Sequence, residues 1–330
     1  MQRINQDIKT GQFQQMYLLT GQEDYLRNQY KNKLTKALLG DGDTMNLNFF
    51  SGKEATPLSI IDIAETLPFL AERRVIVLEN TGLLKGSQEA LADYLKETPE
   101  TTFFVMSEKE VDKRSKVYKA VKQKGYVCEF NEQDENTLRK WIKQSFAKEN
   151  KQIEERALAI FLNKTGTDMS GIKTEMEKLI CYCHEKDVIT SEDVEAVTTE
   201  RITNRIFDMI RAVAERNQKQ ALDLYYDLLA LKEPPMRIMA LIARQFNLLL
   251  QVKVLKEKGH DSRYIGEKVG LQPFIAKKYM EQSNGFKTWM LRQAVEDCVK
   301  ADEDVKTGKL NDLMSVELLI IKYSSLQIER

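Results

Sequence analysis

Apolar positions change their period once along the chain, near residue 131. Before that point short apolar runs alternate with segments of three-and-four spacing. The runs are Met16-Tyr17-Leu18-Leu19, Asn48-Phe49-Phe50, Val75 to Leu78, Thr102 to Met106 and Tyr126 to Phe130. Between them the spacing predicts helices over about Gln22 to Leu39, Leu58 to Leu67, Gln88 to Lys96 and Ser115 to Lys124. A run such as Val75-Ile76-Val77-Leu78, apolar at both parities, suits a parallel strand covered on both faces. Strands separated by helices of about ten residues predict βαβ crossovers and a parallel sheet clad in helices.

Beyond Asn131 the helical period takes over. Leu138 to Lys148 and Glu154 to Lys164 read as helices, and Met169, Ile172, Met176, Leu179, Ile180 and Cys183 form the stripe of a third. Thr190-Ser-Glu-Asp193 has the spacing of a capping box for a short helix through Val197. From Ile206 the helices lengthen. Pro235 to Lys258 is apolar almost all round at its centre (Leu241, Ile242, Phe246, Leu249, Val252), which predicts burial on more than one side. The pattern divides the chain into an α/β domain over 1–137, a small helical domain over 138–205 and an all-helical domain over 206–330. No internal repeat and no low-complexity linker interrupts it.

Composition narrows the classes. Lys plus Arg and Asp plus Glu both number 50, so no global field draws the chain to nucleic acid, and any such contact needs a local patch. No apolar run approaches the roughly 20 residues that span a bilayer, and the first residues do not read as a signal peptide. The expectation is a cytoplasmic protein without membrane contact. Its four cysteines (Cys128, Cys181, Cys183, Cys298) are then expected to be buried thiols. Cys181-Tyr-Cys183-His184 lacks the second pair that a structural zinc needs, so no metal is expected.

The turn after the first strand is where a parallel sheet of this order would hold a nucleotide phosphate. That chemistry needs glycines, a lysine and a hydroxyl. Thr20-Gly21-Gln22-Glu23-Asp24 offers one glycine and two carboxylates, which suit the helix dipole and repel a phosphate. No nucleotide cofactor is expected. No nucleophile elbow, zinc-protease helix or paired-carboxylate arrangement appears elsewhere, so no catalytic residue is assigned.

Two other stretches carry functional readings. Lys113, Arg114, Lys116, Lys119 and Lys122 crowd one short helix and its entry, as a DNA or acidic-partner patch would, although charge runs are ordinarily solvated faces. Asp261 to Asn284 has helix-turn-helix spacing with Gly270 in the turn. Its second helix opens with apolar Pro273-Phe274-Ile275-Ala276 where base-reading side chains belong, which favours packing. Finally, Pro68-Phe69-Leu70 lies on the connector before the Val75 strand. Two large apolar residues on a connector are either a core plug, the ordinary outcome, or an anchor for a partner's pocket.

The order of features resembles the delta subunit of bacterial DNA polymerase III, the clamp-opening member of the clamp loader. The residues that carry the likeness are Leu19-Thr20-Gly21-Gln22-Glu23 and Leu67-Pro68-Phe69-Leu70-Ala71-Glu72-Arg73-Arg74-Val75. Glu175-x-Glu177-Lys178-Leu179, Ile189-Thr190-x-Glu192-Asp193-Val194, Ile206-Phe207 and Asp302-x-Asp304-Val305-Lys306-x-Gly308 follow in the family's order. The resemblance implies an AAA+-like parallel-sheet domain without a phosphate loop, a helical lid and an all-helical C-terminal collar. It implies that Phe69 and Leu70, following Pro68, enter a hydrophobic pocket of the ring-shaped sliding clamp. Related sequences commonly carry Phe-Phe there, so Leu70 is a departure. The Ser-Arg-Cys motif and four-cysteine zinc module of sibling subunits are absent.

The implied function is non-catalytic: to bind the sliding clamp (the beta subunit) and open it for loading onto primed DNA during replication. The implied partners are the tau/gamma and delta prime subunits in a hetero-pentamer and, within the complex, primer-template DNA. The chain would thus be part of a DNA-directed DNA polymerase, a nucleotidyltransferase (transferase) holoenzyme, without an active site of its own. The alternatives are an active AAA+ ATPase, which the missing phosphate loop disfavours, and a helix-turn-helix DNA-binding regulator.

Overall fold

A computed structural model describes residues 1–40, 44–52 and 55–325. The chain forms two compact units, Met1–Gln133 and Asp134–Arg330.

In the first unit, α1 (Gln2–Thr10), β1 (Met16–Thr20), α2 (Asp24–Leu39), β2 (Leu47–Ser51), α3 (Pro57–Ala64) and β3 (Arg74–Glu79) come first. They are followed by α4 (Glu89–Tyr94), β4 (Thr102–Glu108), α5 (Lys116–Lys124) and β5 (Tyr126–Glu129). The five strands form one parallel sheet in the order β2-β3-β4-β1-β5. Leu18 stands opposite both Met106 and Val127, which places the uninterrupted apolar runs in the middle. β1 is buried at every position and β3 at all but its last, as their sequences require. Edge strand β2 is half-exposed, and Phe49 on it faces out.

Helix α1 has no counterpart in the sequence reading. It has almost no apolar stripe: only Ile4 and Asp7 are buried, and the Tyr17 hydroxyl donates to the Asp7 carboxylate at 2.7 Å. A polar contact of that kind leaves no hydrophobic period. Helix α3 ends at Ala64, three residues before the predicted Leu67, so the connector to β3 is longer than expected.

The second unit opens with α6 (Glu135–Lys148), β6 (Gln152–Ile153), α7 (Glu155–Thr165), α8 (Met169–Tyr182), β7 (Val188–Ile189) and α9 (Ser191–Val197). The predicted capping box is present: Thr190 and Asp193 each bond the other's backbone N–H. β6 and β7 pair in parallel over two residues, too short a match to be seen in sequence. Cys128, Cys183 and Cys298 are buried, and burial pushes the Cys298 thiol up to about 12. Cys181, expected to be buried, is exposed. It lies two residues past Leu179 in the α8 stripe, roughly 200° round the helix from the core.

The rest comprises α10 (Ile202–Ala214), α11 (Gln218–Ala230), α12 (Pro235–Glu257), α13 (Ser262–Val269), α14 (Pro273–Gln282), α15 (Thr288–Lys306) and α16 (Asp312–Ser325). By length and composition α12 could cross a membrane, contrary to the sequence reading. Here it is the axis of the bundle. Ile238, Met239, Ile242, Phe246 and Leu249 are buried, and the Phe246 ring meets those of Phe286 and Tyr323 at 5.9 and 5.6 Å. The helix-turn-helix-like pair α13–α14 packs Ile265 and Ala276 with Val252 of α12.

Candidate functional site: the connector between α3 and β3

Pro68, Phe69 and Leu70 sit on a connector at the N-terminal edge of the parallel sheet. Phe69 is 56% exposed and Leu70 is 92% exposed, with Leu67 also outside. They do not plug the core. Leu70 has φ of +50°, a left-handed conformation that costs a non-glycine residue about 1 kcal/mol.

Two buried side chains fix it. Asn46, just before β2, accepts the Phe69 N–H at 2.6 Å and donates to the Phe69 carbonyl at 2.9 Å. Arg74, the first residue of β3, donates through Nε to the Thr66 carbonyl at 2.8 Å and through its guanidinium to the Leu67 carbonyl at 3.0 Å. Its third bond goes to Asn48 Oδ1 at 2.7 Å. The connector's backbone is thereby satisfied from inside while its two largest side chains point out. The neighbouring Arg73 stacks over Phe13 and Phe103, at 5.1 and 5.5 Å from the ring centres.

On the opposite edge of the sheet, the turn after β1 is closed by the protein's own groups. Glu23 N–H donates to the Phe130 carbonyl at 3.0 Å, and Phe130 N–H to the Thr20 carbonyl at 2.6 Å. The buried Glu23 caps α2 by accepting from Tyr25 N–H. Arg27 donates to the Gly21 carbonyl at 2.6 Å and pairs with Asp24 at 2.9 Å. Gly21, at φ +124°, is needed because a Cβ there would lie 2.2 Å from the Phe130 carbonyl oxygen. This glycine serves a close backbone crossing. Glu79, at the end of β3, pairs with Lys31 at 2.8 Å.

Three residues of the basic cluster at α5 are engaged in exposed ion pairs. Lys113 pairs with Glu129 at 2.5 Å, Arg114 with Asp112 at 3.1 Å, and Lys116 with Glu89. The hydrogen bonds to Glu129 and Glu89 raise the Lys113 and Lys116 amines above their ordinary range. Lys119 and Lys122 form no ion pair among the described residues. Sequence reasoning singled out the apolar pair at 69–70 without fixing the direction it faces, and it missed Asn46 and Arg74. Nothing marks a buried asparagine in an unassigned loop, and Arg74 reads as ordinary charge before a strand.

Residues 17–131 match the family model described as DNA polymerase III, delta subunit, and residues 203–323 match the model of the delta subunit's C-terminal domain. The chain is 29% identical over 328 residues to DNA polymerase III subunit delta of Bacillus subtilis, covering 96% of this chain and 94% of that one. It is 24% identical over 297 residues to the probable DNA polymerase III subunit delta of Aquifex aeolicus, covering 86% and 82%. The solved Bacillus subtilis DNA clamp loader delta protein superposes with a TM-score of 0.76 at 28% identity, over 98% of this chain and 99% of that one. With both units matched and the fold shared end to end, this chain belongs to the delta-subunit family of DNA polymerase III.

Proposed function

We propose that this chain is the clamp-opening subunit of its clamp loader. The observation that carries the proposal is the connector of Phe69 and Leu70, whose backbone is gripped from the core by Asn46 and Arg74 while its apolar side chains face outward. An exposed apolar pair on a fixed backbone is what a partner's pocket recognises, since little ordering remains to be done on binding. The partner is the ring-shaped sliding clamp, and Pro68 sets the entry to the anchor.

In this reading the chain does no chemistry. ATP hydrolysis belongs to the tau/gamma subunits, and the chain joins them and delta prime through its helical domain over 206–330, with the lid over 138–205 between. Primer-template DNA enters only within the assembled complex, during replication in the cytoplasm. The test is a binding titration of the full chain against the sliding clamp of the same cell, beside the Phe69→Ala/Leu70→Ala variant. The wild type should bind and the variant should bind about 100-fold more weakly or worse, while both still co-elute with the other loader subunits. A variant that binds the clamp as the wild type does refutes the reading.

A further inference from the structure

The buried side chains behind the anchor do more than complete a fold. Asn46 is 1% exposed, and its own carbonyl accepts from Val75 N–H at 2.8 Å, so its backbone is tied to the start of β3. Its amide offers a donor and an acceptor to the backbone of one residue, Phe69, at 2.9 and 2.6 Å, and so fixes the peptide units on both sides of it. Among short side chains only asparagine has both groups at that spacing: aspartate lacks the donor and serine lacks the reach. Arg74 is 7% exposed, and its described bonds go to carbonyl and amide oxygens, with no carboxylate among them. Burying a guanidinium that way is costly unless its hydrogen bonds do the compensating. Those bonds hold Thr66 and Leu67, and the Arg74 N–H itself is fixed to the Thr101 carbonyl at 2.8 Å.

We infer that Asn46 and Arg74 are positioning residues that hold residues 66–69 in the binding arrangement before the clamp arrives. The inference rests on the anchor reading of Phe69 and Leu70. A connector of this length would otherwise sample many backbone states, and fixing each residue costs about 1–2 kcal/mol. Here the sheet meets that ordering cost during folding, and the strained φ of Leu70 is part of the arrangement so held. Phe69 and Leu70 supply the contact, and the two buried residues supply its geometry.

The test is a double-mutant cycle in the full chain, with clamp affinity, melting temperature and amide exchange at Phe69 as readouts. Asn46→Ala should weaken clamp binding roughly tenfold and remove the protection of the Phe69 amide. In the Phe69→Ala/Leu70→Ala background it should change the residual binding less than about twofold, because no anchor is left to position. Should Asn46→Ala melt far below the wild type, Arg74→Lys takes its place under the same criterion. It keeps the charge but cannot serve Thr66, Leu67 and Asn48 at once. Wild-type or tighter binding by the single variant, beside a weak Phe69→Ala/Leu70→Ala variant, overturns the inference and leaves the anchor reading standing. Equal weakening in both backgrounds also overturns it, as general damage. Wild-type binding by the Phe69→Ala/Leu70→Ala variant removes the anchor reading itself.

Discussion

Two turns of one sheet use the same device to opposite ends. At the carboxyl edge the buried Arg27 holds the Gly21 carbonyl, and at the amino edge the buried Arg74 holds those of Thr66 and Leu67. The first grip draws its turn inward against the end of β5, where Glu23 fills the helix end that a phosphate would need. The second leaves its connector standing clear, with Leu70 almost wholly in solvent. One edge of the sheet is thus closed by the protein's own groups, and the other carries an exposed apolar pair. The difference lies in which side chains the gripped backbone carries, acidic at one turn and apolar at the other.

The sharpest way to break this comparison is to force the closed turn open. Gly21→Ala would place a methyl group 2.2 Å from the Phe130 carbonyl oxygen, a backbone contact that cannot swing aside. The expected loss is on the order of 3 kcal/mol of stability, or roughly 10 °C in melting temperature. Urea unfolding measures it, and wild-type stability would show that the turn is not sealed. At the other edge, Phe69→Ala/Leu70→Ala should reduce clamp affinity about 100-fold or more, since each side chain contributes roughly 1.5–3 kcal/mol on burial. Its melting temperature should stay near the wild type, because side chains this exposed have little native burial to lose.

Smaller effects sharpen the contrast. If the docking edge is apolar, clamp affinity should change less than about threefold between ~50 and ~300 mM salt, because screening acts on charge. Lys119→Glu/Lys122→Glu should likewise change it less than about twofold. A fall of tenfold or more in either measurement would move the contact to the basic helix. Leu70→Phe, which restores an aromatic pair, should stay within about threefold of the wild type or improve on it. The smallest expected effect is none. At ~1 mM Mg-ATP a site with a Kd of ~10 μM would add about 2.7 kcal/mol of stability, a shift of several degrees. Thermal melting should instead not move, and a shift of that size would mean that the turn after β1 does admit a nucleotide.

Much of this was legible along the chain. Met16 to Leu19 and Val75 to Leu78 declared buried strands because a strand covered on both faces must be apolar at both parities. Thr190 and Asp193 declared a helix start because capping is a contact between near neighbours in sequence. The acidic character of the turn after β1 was visible for the same reason, as its carboxylates and single glycine lie within five positions. Where the sequence reading fell short, the deciding contact was distant. Helix α1 is held by Ile4 and by side-chain contacts of Asp7 with Tyr17 and of Asn5 with Tyr30, and β6 meets β7 where Gln152 faces Val188.

By itself, then, the sequence determined the alternation of strands and helices, an acidic turn with a single glycine after the first strand and the presence of two apolar residues on a connector. It left open whether those two residues face the core or the solvent. Only the tertiary structure decided that, through Asn46 lying 23 residues from Phe69 and through Arg74 turning back onto Thr66 and Leu67. Periodicity records which face of an element is buried. A connector has no period, and its direction is set by hydrogen bonds that form only once the sheet has brought those residues together.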